Sequence, residues 1–285
     1  MANLKDIRDR KKSVKSLQKV TKAMKMVATA KMRRAQERME EARPYENRLS
    51  AVIQHLLPDV DRGLLELLDI RDLNRVGYVV VSSDKGMAGS FNTNVLKKAQ
   101  IEIDAIGKDK VDVFCIGKKA RDHFNRRNYN IISSHIDFWN DLKFRDAMSI
   151  GEGIMSHFTQ KHVDEIHVVY NEFVNMAVQT VESEKFLPLT YDSEKSYNVG
   201  RLYEPNKNDI IKTLIPKHLN IQMWKFLLES YASEQAARMV AMENATDNAQ
   251  EMIKDLTLEF NKARQAAITT EMLEIVSGAE ALQSE

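Results

Sequence analysis

Cysteine is nearly absent. The single Cys115 excludes an intrachain disulfide and a four-thiolate metal site, and a reducing compartment is the natural reading. No stretch approaches the ~20 apolar residues of a membrane span, and the amino terminus has no apolar core of the signal-peptide kind. A soluble chain is expected, held at a membrane only through other proteins. The phosphate-cradling patterns G-x-x-x-x-G-K-[ST] and G-x-G-x-x-G do not occur, nor does the nucleophile elbow G-x-S-x-G. His157, His162 and His167 recur at steps of five, which fits neither one helix face nor zinc-ligand spacing. Neither a metal, nor a cofactor, nor a catalytic residue is expected in this chain.

Breakers are scarce too, with five prolines and ten glycines in 285 residues. From Leu219 to Ala281 there is no proline and one glycine, Gly278, so this stretch reads as one very long helix. Its small and apolar residues advance by alternating steps of four and three: Leu228, Ala232, Gln235, Met239, Met242, Thr246, Ala249, Ile253, Leu256, Phe260, Ala263, Ala267 and Thr270. That is a heptad seam, and a helix of roughly 95 Å at ~1.5 Å per residue needs a partner helix to cover it. Past Thr270 the apolar stripe widens through Met272, Leu273, Ile275, Val276, Ala279 and Leu282 to surround much of the helix. A tip of this kind calls for an enclosing sleeve.

The partner is at the other end of the chain. Between residues 1 and 57, Ile7, Val14, Thr21, Ala28, Ala35, Ala42, Leu49 and Leu56 recur every seven residues, with Pro44 the only interior breaker. Charge agrees with such a pairing: residues 1–43 hold 14 Lys or Arg and 5 Asp or Glu (net +9), whereas residues 219–285 hold 5 and 11 (net −6). The whole chain has a formal net charge of only +1. The basic arm from Lys11 to Arg34 could grip nucleic acid, but no stacking aromatics interleave with it before Tyr45. A solvated or protein-facing helix is the expected role.

Between these ends the sequence alternates. Val76–Val81, Val111–Ile116, Ile131–Ser133 and Glu165–Phe173 read as strands, and Asn94–Ile106, Lys118–Asn128 and Phe144–Gln160 as helices. This order predicts a mostly parallel sheet with right-handed crossovers, and Gln179–Leu187 adds a hairpin strand. The expected fold is α/β: a long antiparallel, left-handed coiled coil of N- and C-terminal helices with an inserted Rossmann-like domain. The expected divisions are 1–57 (N-terminal helix), 58–73 (connector), 74–189 (α/β domain), 190–218 (connector) and 219–285 (C-terminal helix). The loop Ser82–Asn92 follows a strand and precedes a helix, a position that often cradles phosphate. Without a Walker pattern, a strand-to-helix turn is the simpler reading, and a nucleotide-binding α/β protein with a coiled-coil arm is one alternative. A basic-arm nucleic-acid binder is the other.

The run Ile268 to Ala281 (ITTEMLEIVSGAEA) resembles the C-terminal signature of the γ subunit of F-type ATP synthases, I-T-x-E-x-x-E-x-x-x-G-A. Ala232–Met242, Ala245–Asn248, Asn261–Gln265, Val20–Met24 and the Ser82–Asn92 loop also match in order, with Met87 where that family usually has leucine. The resemblance implies a non-catalytic central shaft that couples proton-driven rotation of a membrane c ring to the catalytic β subunits. Its implied partners are three α and three β subunits, the ε subunit and the c ring, with no nucleic acid. Its implied place is peripheral, on the cytoplasmic face of a bacterial inner membrane, or the matrix face of a mitochondrial one if a transit peptide has been removed. By resemblance Met24, Arg238, Arg264, Gln265, Thr269, Glu271 and Glu274 would make rotor–stator contacts. Tyr203, Glu204 and Pro205 would meet the c ring, and Leu273, Ile275, Val276 and Leu282 would form the bearing tip. The redox-switch cysteine pair of photosynthetic members cannot be made from Cys115 alone.

Overall fold

The computed structural model describes residues 4–57, 63, 65–189 and 207–283, with side chains at 55 and 280–283 excepted. The elements are α1 (Leu4–Leu56), β1 (Val76–Val81), α2 (Phe91–Ile106), β2 (Val111–Ile116), α3 (Lys118–Asn125), β3 (Asn130–His135), α4 (Phe144–Thr159), β4 (Glu165–Phe173), β5 (Gln179–Leu187) and α5 (Lys207–Gln283). Two compact units result, one of residues 1–27 with 239–285 and one of residues 28–238.

In the first unit the heptad reading becomes packing. Ile7, Val14, Ala249, Ile253 and Leu256 form a buried cluster, with Phe260 and Ala263 against it. The cross-helix contacts run in opposite chain directions. Arg8 lies over the Phe260 ring at 5.7 Å, the Gln18 amide donates to Gln250 at 2.7 Å, the Thr21 and Thr246 hydroxyls lie 2.8 Å apart, and Lys25 pairs with Glu243 at 2.6 Å. The helices are therefore antiparallel, as expected. The seam mixes small, β-branched and hydroxyl residues, so each layer contributes modestly, about 1.5–3 kcal/mol for a fully buried large aliphatic side chain.

In the second unit the strand order is β3-β2-β1-β4-β5, parallel except for the antiparallel β4–β5 hairpin. Strands β1 and β2 are buried at all six positions, which is why they read as continuous apolar runs rather than alternating ones. One face (Tyr78, Val80, Val113, Cys115) packs on α2 and α3 through Val95, Ala99, Ile103 and Phe124. The other (Val79, Val81, Phe114, Val168, Tyr170) packs on α4, the end of α1 and the beginning of α5. Burial pushes the Cys115 thiol up to about 12, so it is an inert core residue.

The expected connector 190–218 overlaps α5, which begins at Lys207 and carries Pro216 inside it. Ile211, Ile215 and Leu219, spaced by four around that proline, are each 0% exposed. Their burial outweighs the ~3 kcal/mol a proline costs in a helix interior.

Candidate functional site

The Ser82–Asp84 end of the loop that leads into α2 is tied to the start of the neighbouring helix α3. Ser82 Oγ accepts from the Ala120 amide at 2.8 Å, the Ser83 carbonyl accepts from Lys119 at 3.1 Å, and Asp84 Oδ1 accepts from Lys118 at 2.8 Å. Those three amides open α3, so the donors that would meet an anion at this helix start are already engaged by the chain's own oxygens. Gly117 makes the approach possible: its φ is +92°, and a Cβ there would lie 2.2 Å from the Ser82 carbonyl oxygen.

The crevice where strand order reverses, between β1 and β4, is where doubly wound sheets hold nucleotides. Here α5 fills it. Ser230 Oγ accepts from the Asn171 amide at 3.2 Å, Ser233 Oγ donates to the Asn171 carbonyl at 3.2 Å, and Arg238 donates to the Gly86 carbonyl at 2.9 Å. Arg238 also pairs with Glu234, one turn back on the same helix. Burial raises the Glu234 carboxyl above its ordinary range, against the opposing pull of Arg238 and the Gln235 amide. Nothing in the sequence pattern announced this link, because its members lie 152 residues apart.

Arg238 is thus turned inward, with 11% side-chain exposure. The other expected contact residues differ. Met24 is half-buried in the first unit, whereas Arg264, Gln265, Thr269, Glu271 and Glu274 are all exposed on the far part of α5. The Thr269 and Thr270 hydroxyls fold back onto the Gln265 and Ala266 carbonyls at 2.9 and 3.0 Å. Glu271 and Glu274 rim an open groove of about 1000 Å³ between Leu4 and Ile7 of α1 and Ala263, Ala266 and Ala267 of α5. Beyond it, Met272, Leu273, Ile275 and Val276 are 64%, 62%, 66% and 56% exposed. Four large apolar side chains within five residues, on a helix with no neighbour there among the described residues, are what an interaction surface looks like. The side chain of Leu282 lies outside the described residues, as do Tyr203, Glu204 and Pro205.

No helix among the described residues is long and apolar enough to cross a membrane. Solved structures share the fold: a chain of the Euglena gracilis mitochondrial ATP synthase OSCP/F1/c-ring assembly superposes with a TM-score of 0.69 at 21% identity, covering 99% of this chain and 95% of that one. A Tetrahymena thermophila mitochondrial ATP synthase central stalk/c-ring chain gives 0.63 at 24% identity, covering 79% and 99%. Sequence relatives are nearer. The ATP synthase gamma chain of Prosthecochloris aestuarii is 47% identical over 290 residues, 99% of each chain, and that of Chloroherpeton thalassium is 44% identical over 301 residues with the same coverage. The family model described as ATP synthase matches residues 3–282, and with these relatives it shows that the chain belongs to the ATP synthase family, in its gamma-chain branch.

Proposed function

We propose that the chain is the central rotor shaft of an F-type ATP synthase, coupling rotation of a proton-driven c ring to conformational cycling of catalytic β subunits. The observation that carries this reading is a long antiparallel helix pair whose longer member continues as a bare apolar tip. A helix pair is stiff against torsion and offers different side chains around its circumference. Three chemically identical sites around it each meet a different face, so each is biased toward a different conformation, and rotation passes the bias from site to site.

In this reading the chain is non-catalytic. Its sheet has the topology of nucleotide-binding proteins, but α5 occupies the switch-point crevice and the start of α3 is capped internally. The exposed Arg264, Gln265, Thr269, Glu271 and Glu274, with the small exposed part of Arg238, make polar contacts to a ring of three α and three β subunits, and Met24 meets the ring beside them. Leu273, Ile275, Val276 and Leu282 turn inside the top of that ring as an apolar bearing, where many weak contacts centre the axle without locking one angle. Tyr203, Glu204 and Pro205 meet the c ring, and the ε subunit grips the α/β domain. The chain then sits at the membrane surface on the side that holds the catalytic ring.

The test is rotation in the assembled complex. A bead fixed to this chain in an immobilised α3β3 ring should turn in one direction on ATP, and Met24→Lys, an ammonium beside the seam, should lower the ratio of proton transport to hydrolysis. A bead that stays still while the ring hydrolyses ATP refutes the shaft. Turnover by the highly purified chain alone refutes its non-catalytic role.

A further inference from the structure

Glu229 sits on α5, 7% exposed, next to Ser230 and its bond to β4, and one of its carboxylate oxygens has no hydrogen-bond partner. Charged and titratable groups face it from each surrounding element: Lys225 on α5, Glu172 and Tyr170 on β4, Glu184 on β5 and Glu46 on α1. Four carboxylates thus share one ammonium. Lys225 is already drawn toward Glu46 at 3.6 Å, and the Tyr170 hydroxyl is given to Glu184. Thr180 donates to Glu172 at 3.3 Å. Among the described residues no donor reaches the second oxygen of Glu229.

We propose that Glu229 is a proton-controlled latch: with its carboxyl uncharged, α5 sits closed on the β4–β5 hairpin, and ionisation of that carboxyl loosens the seat. A neutral acid adds no fourth negative charge to the cluster, whereas a carboxylate there is both desolvated and repelled. Burial is the main cause that pushes Glu229 up to about 7; Lys225 pulls it down, and Glu172, Glu184 and Glu46 push it further up. Burial alone would lower the Lys225 ammonium, but Glu46, Glu229 and Glu184 outweigh it and hold Lys225 above the ordinary lysine range. Tyr170 is raised by burial, then by its bond to Glu184 and the charge of Glu229, so it stays a donor throughout. The sign follows. The folded-state value lies above the unfolded one, so the folded chain keeps a proton that the unfolded chain has lost. This contribution to stability is whole below about pH 4.5 and is lost as pH rises through about 7.

The test uses the full chain with ¹³C-labelled glutamate carboxyls, assigned through bonds. A Glu229 titration midpoint near 7 is expected, and one in the ordinary range of about 4 to 5 overturns the proposal. Amide exchange over Tyr170–Glu172 and Phe226–Ser233, corrected for intrinsic base catalysis, gives the mechanical consequence. Opening should rise about tenfold between roughly pH 5.5 and 8.5 in the parent chain and stay level in Glu229→Gln, which keeps every histidine and so cancels their titration. Equal pH dependence in both proteins overturns the latch. Should Glu229→Gln fail to fold, Lys225→Met removes the cation that faces Glu229 among the described residues and must move the Glu229 midpoint further up; an unmoved midpoint overturns the proposal as well.

Discussion

Two stretches of α5 have opposite surroundings. From Phe226 to Ala236 every residue except Tyr231 is buried, and from Arg264 to Ala279 every residue is exposed. The two stretches are close in apolar content, 6 residues of 11 in the buried one and 8 of 16 in the exposed one. The buried stretch includes Glu229, Ser230, Ser233, Glu234 and Gln235, while the exposed stretch carries Ile268, Met272, Leu273, Ile275 and Val276. Within one uninterrupted helix, burial is decided by what the rest of the chain brings alongside. The sheet and α4 surround the first stretch, and its polar groups find partners such as Asn171 and Arg238. Among the described residues, the second stretch meets only Leu4 and Ile7 of α1, across an open groove.

The largest effect that tests this contrast is in the buried stretch. Phe226, 2% exposed, lies 4.6 Å from the Tyr170 ring and 6.3 Å from the Phe186 ring, centroid to centroid. Phe226→Ala should destabilise the isolated chain by about 3–5 kcal/mol through lost transfer energy and a cavity, as read by denaturant unfolding. A loss below about 1 kcal/mol would show that this part of α5 is not seated as described.

Much of this was readable beforehand. Ile7, Val14, Thr21, Ala28, Ala35, Leu49 and Leu56 are all buried, because a seven-residue repeat puts one face of a helix against one neighbour. The strands were legible as apolar runs, and the hairpin pairing of β4 with β5 follows from their short connection. The sequence shows a loop and short helix within 190–218, but not that this helix runs on through Pro216 into α5, since proline marks a helix boundary only when tertiary packing does not override it. Nor was the engagement of Arg238 with Gly86, or the enclosure of Glu229, legible there. Sequence periodicity reports a face, and these depend on partners from remote segments. The exposure of Met272, Leu273, Ile275 and Val276 was legible for the opposite reason, as apolar residues on most sides of one helix.

A middle-sized effect belongs to the seam of the first unit. Thr21→Val removes one hydroxyl of the Thr21–Thr246 pair and should cost about 1 kcal/mol, while Thr246 keeps its own bond to the Met242 carbonyl at 2.7 Å. Thr21→Val with Thr246→Val should recover most of that loss, because two apolar groups of the same shape need no partner. Double-mutant unfolding measurements decide it, and simple additivity would mean that the pair is not coupled.

The smallest effect is expected at the tip. Ile275→Ser with Val276→Ser should leave the unfolding free energy of the isolated chain within about 0.5 kcal/mol, since neither side chain is buried there. The same double variant should lower the yield of assembled complex, read by native mass spectrometry against the parent chain. A large loss of stability in the isolated chain would mean that the tip is already covered, and the contrast between the two stretches would fail.

The filled crevice between β1 and β4 has a consequence for control. A transmission part that also bound the fuel would slacken or stiffen as the fuel concentration changed, and its output would then depend on two variables at once. In the proposed shaft, Ser230, Ser233 and Arg238 occupy the switch-point crevice and Ser82 and Asp84 engage the amides that open α3, which suits a part whose stiffness does not vary with ATP. Its angle alone can then carry the message from one end to the other, which is the condition for a clean mechanical signal.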